Sequence, residues 1–278
     1  MNSQNDLDLY YDALFKEGNK HNINKNIFSI FTVIFLLFAV FANGYFLYSS
    51  SLLAIFCQLI SWYWSYRAKN SYMLAHDLQK IAMLEKAYGE VPSVFDLSHQ
   101  KANISLWVSK LVKNNINKQD NPIKYSIKDE TSSESKLISM LQENSYFNHH
   151  LYEKCFIRYR AFLLIFFSLV LIIPLFMIPV LANDPNYSLP RLAFVVLSWS
   201  IIFESMETTL NYRFAAKVML ELDNQFSRIK KDNNPAMLDL FSKYDMAKRM
   251  CPPISERIYK KYRDILNEGW NRRNLKLP

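Results

Sequence analysis

Forty consecutive residues, Ile27 to Tyr66, carry no Asp, Glu, Lys, Arg or His. As one helix they would extend about 60 Å, twice the hydrocarbon thickness of a bilayer. The run therefore predicts two antiparallel crossings. Its only turn-like residues are Asn43-Gly44 and Ser49-Ser50-Ser51, so the reversal is expected between 43 and 51. Trp62, Tyr63, Trp64 and Tyr66 end the second crossing as an interfacial aromatic belt, followed by the basic Arg67 and Lys69.

A second apolar block begins at Ala161, just after Arg158 and Arg160, and runs to Leu181. Pro174 and Pro179 lie inside it and predict kinks. Asn183 to Leu189 reads as a short loop. Pro190 to Arg213 then opens as a fourth crossing, with Pro190 suited to a first helical turn. Here the pattern changes. Ser200, Glu204, Glu207, Thr208 and Asn211 fall on one helix face, with Ile201, Ile202, Phe203, Met206 and Leu210 on the other. A carboxylate in hydrocarbon is costly unless it faces protein or water. Two readings stay open: the stripe lines a subunit interface or a water-filled path, or the helix leaves the membrane there. About 20 residues counted from Pro190 place the inner edge near Thr209. Gln58, midway along the second crossing, equally needs a polar partner. Arg213, Asn43 and Gln58 are the candidate partners for the carboxylates.

Only 4 of 278 residues are glycine, which favours long helices over a turn-rich fold. The net charge of +8 concentrates at the ends of the apolar blocks, at Lys25, Arg67, Lys69, Arg158, Arg160, Arg213 and Lys217. Such flanks meet anionic lipid and set topology, so the positive-inside rule places both termini in the cytoplasm. A basic water-facing surface also suits a phosphate-bearing ligand; specific nucleic-acid binding is not expected. The organisation expected is a cytosolic segment 1–26, a hairpin 27–67, a helical insert 68–157, a second hairpin 158–212 and C-terminal helices 213–278. The fold class expected is all-α, with four transmembrane helices whose extensions build the cytosolic part.

Those extensions have apolar stripes that need partners: Leu78, Ile81 and Leu84, then Leu137 and Leu141, then Val218 and Leu222. Residues 1–26 allow a short amphipathic helix or a frayed tail. Gly89 is a helix stop, and a helix is expected from Ala102 to Asn114. A polar loop should follow to Thr131, with Ile123 to Ile127 a possible short strand. Thr131 with Glu134 fits a capping box. Asn233-Asn234-Pro235 should end the helix after the fourth crossing. Helices are then expected over Ala236–Arg249 and Ile254–Trp270, with Pro253 at the start of the second.

No catalytic signature of a hydrolase, nucleotide-binding loop or zinc protease occurs, so an enzyme is not expected, nor a cofactor. Cys57, Cys155 and Cys251 form no disulfide or zinc pattern. His149, His150 and Glu153 approach a helical metal spacing and are read as a polar girdle, with no metal. Asp96 and His99 are read as a chance pair.

The segment CPPISERIYKKYRDILNEGW, Cys251 to Trp270, is a proline pair followed by an amphipathic stretch with Tyr and Arg. Together with two hairpins around a helical insert, it resembles the four-transmembrane pore-forming effectors of bacterial nucleotide-signalling antiphage defence. The resemblance implies an oligomeric inner-membrane effector triggered by a cyclic or other nucleotide second messenger. A non-conducting scaffold or sensor that relays a signal to a partner is the alternative reading.

Overall fold

The computed structural model describes residues 3–41, 44–89, 104–118, 132–181, 188–229 and 234–275, without the side chains of some stretches, chiefly 173–181 and 188–200. The described residues form seven α-helices and no strand. They are α1 (Ser3–Phe41), α2 (Tyr45–Tyr88), α3 (Leu106–Lys118), α4 (Ser133–Leu181), α5 (Ser188–Arg228), α6 (Asn234–Met250) and α7 (Glu256–Leu275). The chain divides into two compact units. A polar unit contains residues 1–19, 69–155 and 212–278, and a hairpin unit contains 20–68 and 156–211.

Several helix ends differ from those the sequence suggests. The first reversal is at Gly44, whose φ of 58° favours glycine. Ser49 to Ser51 are helical: the Ser49 and Ser50 hydroxyls donate back to the Phe46 carbonyl at 3.1 and 2.7 Å. Asn43 lies outside the described residues. Gly89 stops α2 in the left-handed region, at φ 82°, and its N–H donates to the Glu85 carbonyl at 2.8 Å. The α3 helix runs past Asn114 to Lys118. The strand candidate 123–127, Asp96, His99, Thr131 and residues 183–187 lie outside the described residues.

The cap of α4 is Ser132: its Oγ accepts the Ser135 N–H at 3.2 Å and donates to Ser135 Oγ at 2.8 Å. The helix continues through Pro174 and Pro179. Asn234-Pro235 opens α6 instead of closing α5, with proline at the first helical position, where its missing N–H costs nothing. Pro253 precedes α7, which starts at Glu256 and extends beyond Trp270 to Leu275.

The N-terminal residues are neither frayed nor a separate helix; they are the first turns of α1. Leu7, Tyr11, Ala13 and Leu14 pack with Ala75, Leu78, Ile81 and Ala82 of α2 and with Val108 and Val112 of α3. Each large aliphatic side chain removed from water here contributes about 1.5–3 kcal/mol. Farther along, Leu137 and Leu141 of α4 and Leu222 of α5 are buried, as their spacing predicts, while Leu84 and Val218 are partly buried. Polar ties add register to these contacts. Lys86 pairs with the buried Asp8 at 2.5 Å, and Lys80 pairs with Asp245 at 3.1 Å. Tyr212 donates to the Pro253 carbonyl at 2.7 Å.

The hairpin unit is arranged differently. On α2 the buried positions are Leu47, Ser51, Ala54, Gln58, Ser61 and Ala68, at steps of three, four and seven. On α1 they include Thr32, Leu36 and Ala39. These are mostly small or polar residues, which let helix backbones approach closely. Ser29 Oγ and Ser61 Oγ are 2.9 Å apart, and Ser61 Oγ donates to the Lys25 carbonyl at 3.1 Å. The exposed positions are apolar: Ile27, Ile30, Phe31, Ile34 and Phe38 on α1, and Leu52, Leu53, Ile55, Phe56 and Leu59 on α2. Within the described residues, Leu7–Ala39 and Tyr45–Tyr88 are two stretches long and apolar enough to cross a membrane.

Candidate functional site

The residues singled out on α5 belong to the hairpin unit. Glu204 pairs with Lys25 of α1, and their side chains are 31% and 19% exposed. Lys25 is not among the partners expected from the sequence, Arg213, Asn43 and Gln58, of which Asn43 lies outside the described residues. The pairing also assigns Lys25 a role within the unit instead of a purely lipid-flanking one. Thr208 is partly buried and spends its hydroxyl on the Glu204 carbonyl at 2.8 Å; Thr209 does the same with Ser205 at 2.7 Å. Glu207 and Asn211 are exposed, and the side chain of Ser200 lies outside the described residues. The apolar residues do not form one opposing face. Ile201 and Ile202 are buried with Thr209, whereas Phe203, Met206 and Leu210 point outward.

Gln58 is 1% exposed, and neither atom of its amide has a hydrogen-bond partner among the described residues. Ser51, about two turns earlier on the same stripe, is buried with its hydroxyl likewise unpartnered there. An unpaired buried polar group costs about 1–3 kcal/mol. The unit thus buries polar side chains among small and aliphatic ones beneath an apolar exterior. Of the other basic residues marked in the sequence, Arg67, Lys69, Arg158, Arg160, Arg213 and Lys217 are all exposed.

Sequence reasoning missed a second polar cluster, in the polar unit. Lys248 of α6 is buried and donates to the Asn148 Oδ1 of α4 at 3.2 Å. Burial lowers its pKa to about 8. The same burial, with the Lys248 charge nearby, holds His76 of α2 well below the usual histidine range. Burial also pushes Cys251 and Tyr152 upward; these two are hydrogen-bonded to each other. Three elements meet at this cluster, and no short motif marks it. Its only sequence signal is Lys248 falling on the inward face of a helix with Leu240 and Tyr244.

The α4 residues His149, His150 and Glu153 bring their ligand-type atoms within 4.8 Å of one another. Compared with known proteins, the chain matches no family model, no curated protein and no solved structure.

Proposed function

We propose that this chain is a multi-pass effector of the bacterial inner membrane, with both termini in the cytoplasm. In this reading its hairpin unit, assembled as a homo-oligomer, opens a cation path when the polar unit receives a signal. The inside-out burial of the hairpin unit carries the reading: apolar side chains face outward, while Gln58 and Ser51 lie inside and the Lys25–Glu204 pair is half-buried. A soluble unit would invert that arrangement, and in lipid an unpaired interior amide needs water or a partner chain. Four crossings per subunit enclose no wide lumen, so a path requires several copies. The Lys25–Glu204 pair neutralises a half-buried carboxylate in the hairpin-unit part of α5, which suits a closed state. Carboxylates freed from such pairs and set in a ring favour cations.

A phosphate-bearing ligand of the nucleotide class is the trigger that the resemblance of Cys251–Trp270 suggests, and the basic balance of the chain is compatible with it. The test compares overexpression of the wild type with Glu204→Gln/Glu207→Gln in bacteria loaded with a potential-sensitive dye. The expected outcome is growth arrest and depolarisation by the wild type, and loss of depolarisation with unchanged membrane yield in the variant. If both proteins are harmless and leave the potential intact, the conducting reading fails and the relay scaffold is the better account. If both depolarise equally, the two carboxylates lie outside the path.

A further inference from the structure

We propose that His149, His150 and Glu153 form a binding site for a divalent transition metal of the zinc type in the polar unit. Three donors of the types zinc prefers sit within one turn of α4, their ligand atoms no more than 4.8 Å apart. Donors around a tetrahedral zinc, at bonds near 2.1 Å, stand roughly 3.4 Å from each other. Glu153 is exposed, so its side chain is free to rotate toward an ion.

The ring of His149 is already set for a metal. Its Nδ1 lies 2.8 Å from the Ala216 carbonyl of α5. A carbonyl only accepts, so Nδ1 carries the hydrogen and Nε2 keeps its lone pair. Metal-binding histidines show this same arrangement, with the second nitrogen donating to a backbone carbonyl. His150 is held edge-on against Tyr146, with ring centroids 4.7 Å apart.

The surrounding charges are mixed. Lys154 and Arg273 are the nearby cations. Arg273 is engaged by Asp223 at 2.7 Å, and Lys154 sits over the Tyr262 ring. Asp223 has a side chain 7% exposed and a charge that bears on His150. Its Oδ1 is buried and has no hydrogen-bond partner among the described residues. Asp223 thus keeps one buried oxygen without a hydrogen bond there while the other holds Arg273. Three protein ligands leave at least one coordination position for water, so the site is of the open type. Because His149 is tied to α5, a bound ion would fix the α4–α5 contact within the polar unit.

The untagged full chain, purified in detergent and stripped with a chelator, is titrated with Co²⁺, and the visible d–d absorption is recorded. One equivalent per chain, displaced by Zn²⁺, is the expected result. His150→Ala should weaken Co²⁺ binding at least about 100-fold and Glu153→Gln at least about tenfold, the scale on which even outer partners of metal ligands act. His76→Ala, outside the proposed ligand set, should leave it unchanged. No stoichiometric absorption overturns the proposal, as does equal affinity in the wild type and Glu153→Gln. Should His150→Ala fail to fold, the exposed Glu153 variant decides alone. The readout does not involve conduction, so it stands or falls separately from the proposed pore.

Discussion

The polar unit and the hairpin unit share α1, α2, α4 and α5 but are built by opposite rules. In the polar unit Leu7, Leu14, Leu78, Ile81 and Leu141 are inside, and most charged side chains are on the surface. In the hairpin unit Phe31, Phe38, Leu52 and Phe56 are outside while Ser51, Gln58 and Ser61 are inside. One helix, α2, obeys both rules along its length: its inward stripe is Ser51, Ala54, Gln58 and Ser61, then Ala75, Leu78, Ile81 and Ala82. Helical periodicity alone cannot tell these halves apart, because the stripe continues and only its chemistry inverts. Water selects apolar burial as the driving force. Where the surroundings are themselves apolar, close packing and polar contacts are what remain to hold helices together.

The sharpest test of this contrast truncates one leucine in each half of α2. Leu78→Ala, at a fully buried position, should cost about 2–5 kcal/mol, whereas Leu52→Ala, 57% exposed, should change stability by no more than about 0.5 kcal/mol. Urea unfolding in micelles, followed by circular dichroism, measures both. Equal losses would break the contrast.

A second test places a charge on each unit's exterior. Phe56→Asp should disfavour insertion by about 3 kcal/mol if that face meets lipid. Met246→Asp, on the exposed side of α6, should be silent. Carbonate extraction of membranes reads the outcome, and a Phe56→Asp chain retained at wild-type yield would sink the lipid-facing assignment.

The last test concerns pH and confines itself to the polar unit. The pKa of Lys248 falls from 10.5 to about 8 on folding. Between those values the unfolded chain binds a proton that the folded chain has released. Stability therefore rises with pH across that window, by about 3 kcal/mol in all, and the penalty is constant below it. Lys248→Met should be more stable than the wild type near neutrality, less whatever Asn148 loses with its donor, and should lack the rise. Cys251 and His76 feel the Lys248 charge, so the difference between the two stability–pH curves reports the lysine together with its coupling to them. Parallel curves would show that the lysine is not buried as a charge.

The helical class was legible because few glycines and two long apolar runs leave little else to form. Helix ends were less so, for local reasons. Three serines after an apolar run look like a turn, yet two of those hydroxyls return to the Phe46 carbonyl and leave the helix intact. Asn234-Pro235 looks like a stop, yet proline fits the first helical position equally well. The carboxylate stripe was visible at Glu204, but its partner was not. Lys25 is far away in sequence, and only the packing of α1 with α5 inside the hairpin unit brings the two together. The Lys248 cluster was invisible for the same reason. A lysine in a polar-looking segment gives no local sign that α2 and α4 will enclose it.

The polar unit is made from three separate pieces of chain, 1–19, 69–155 and 212–278. A ribosome supplies them in that order, at roughly 5–20 residues per second. The cluster of Leu7, Leu78 and Val108 needs nothing beyond Val112 and can close early. Leu141 and Tyr152 precede the piece that carries Tyr212, Met219 and Trp270, all of them buried in the finished unit. For several to about twenty seconds at that pace, the nascent chain has α4 without its C-terminal neighbours. A half-made chain is therefore adhesive where the finished one is not, and arrest of synthesis between 155 and 212 should yield a chaperone-bound or aggregated product.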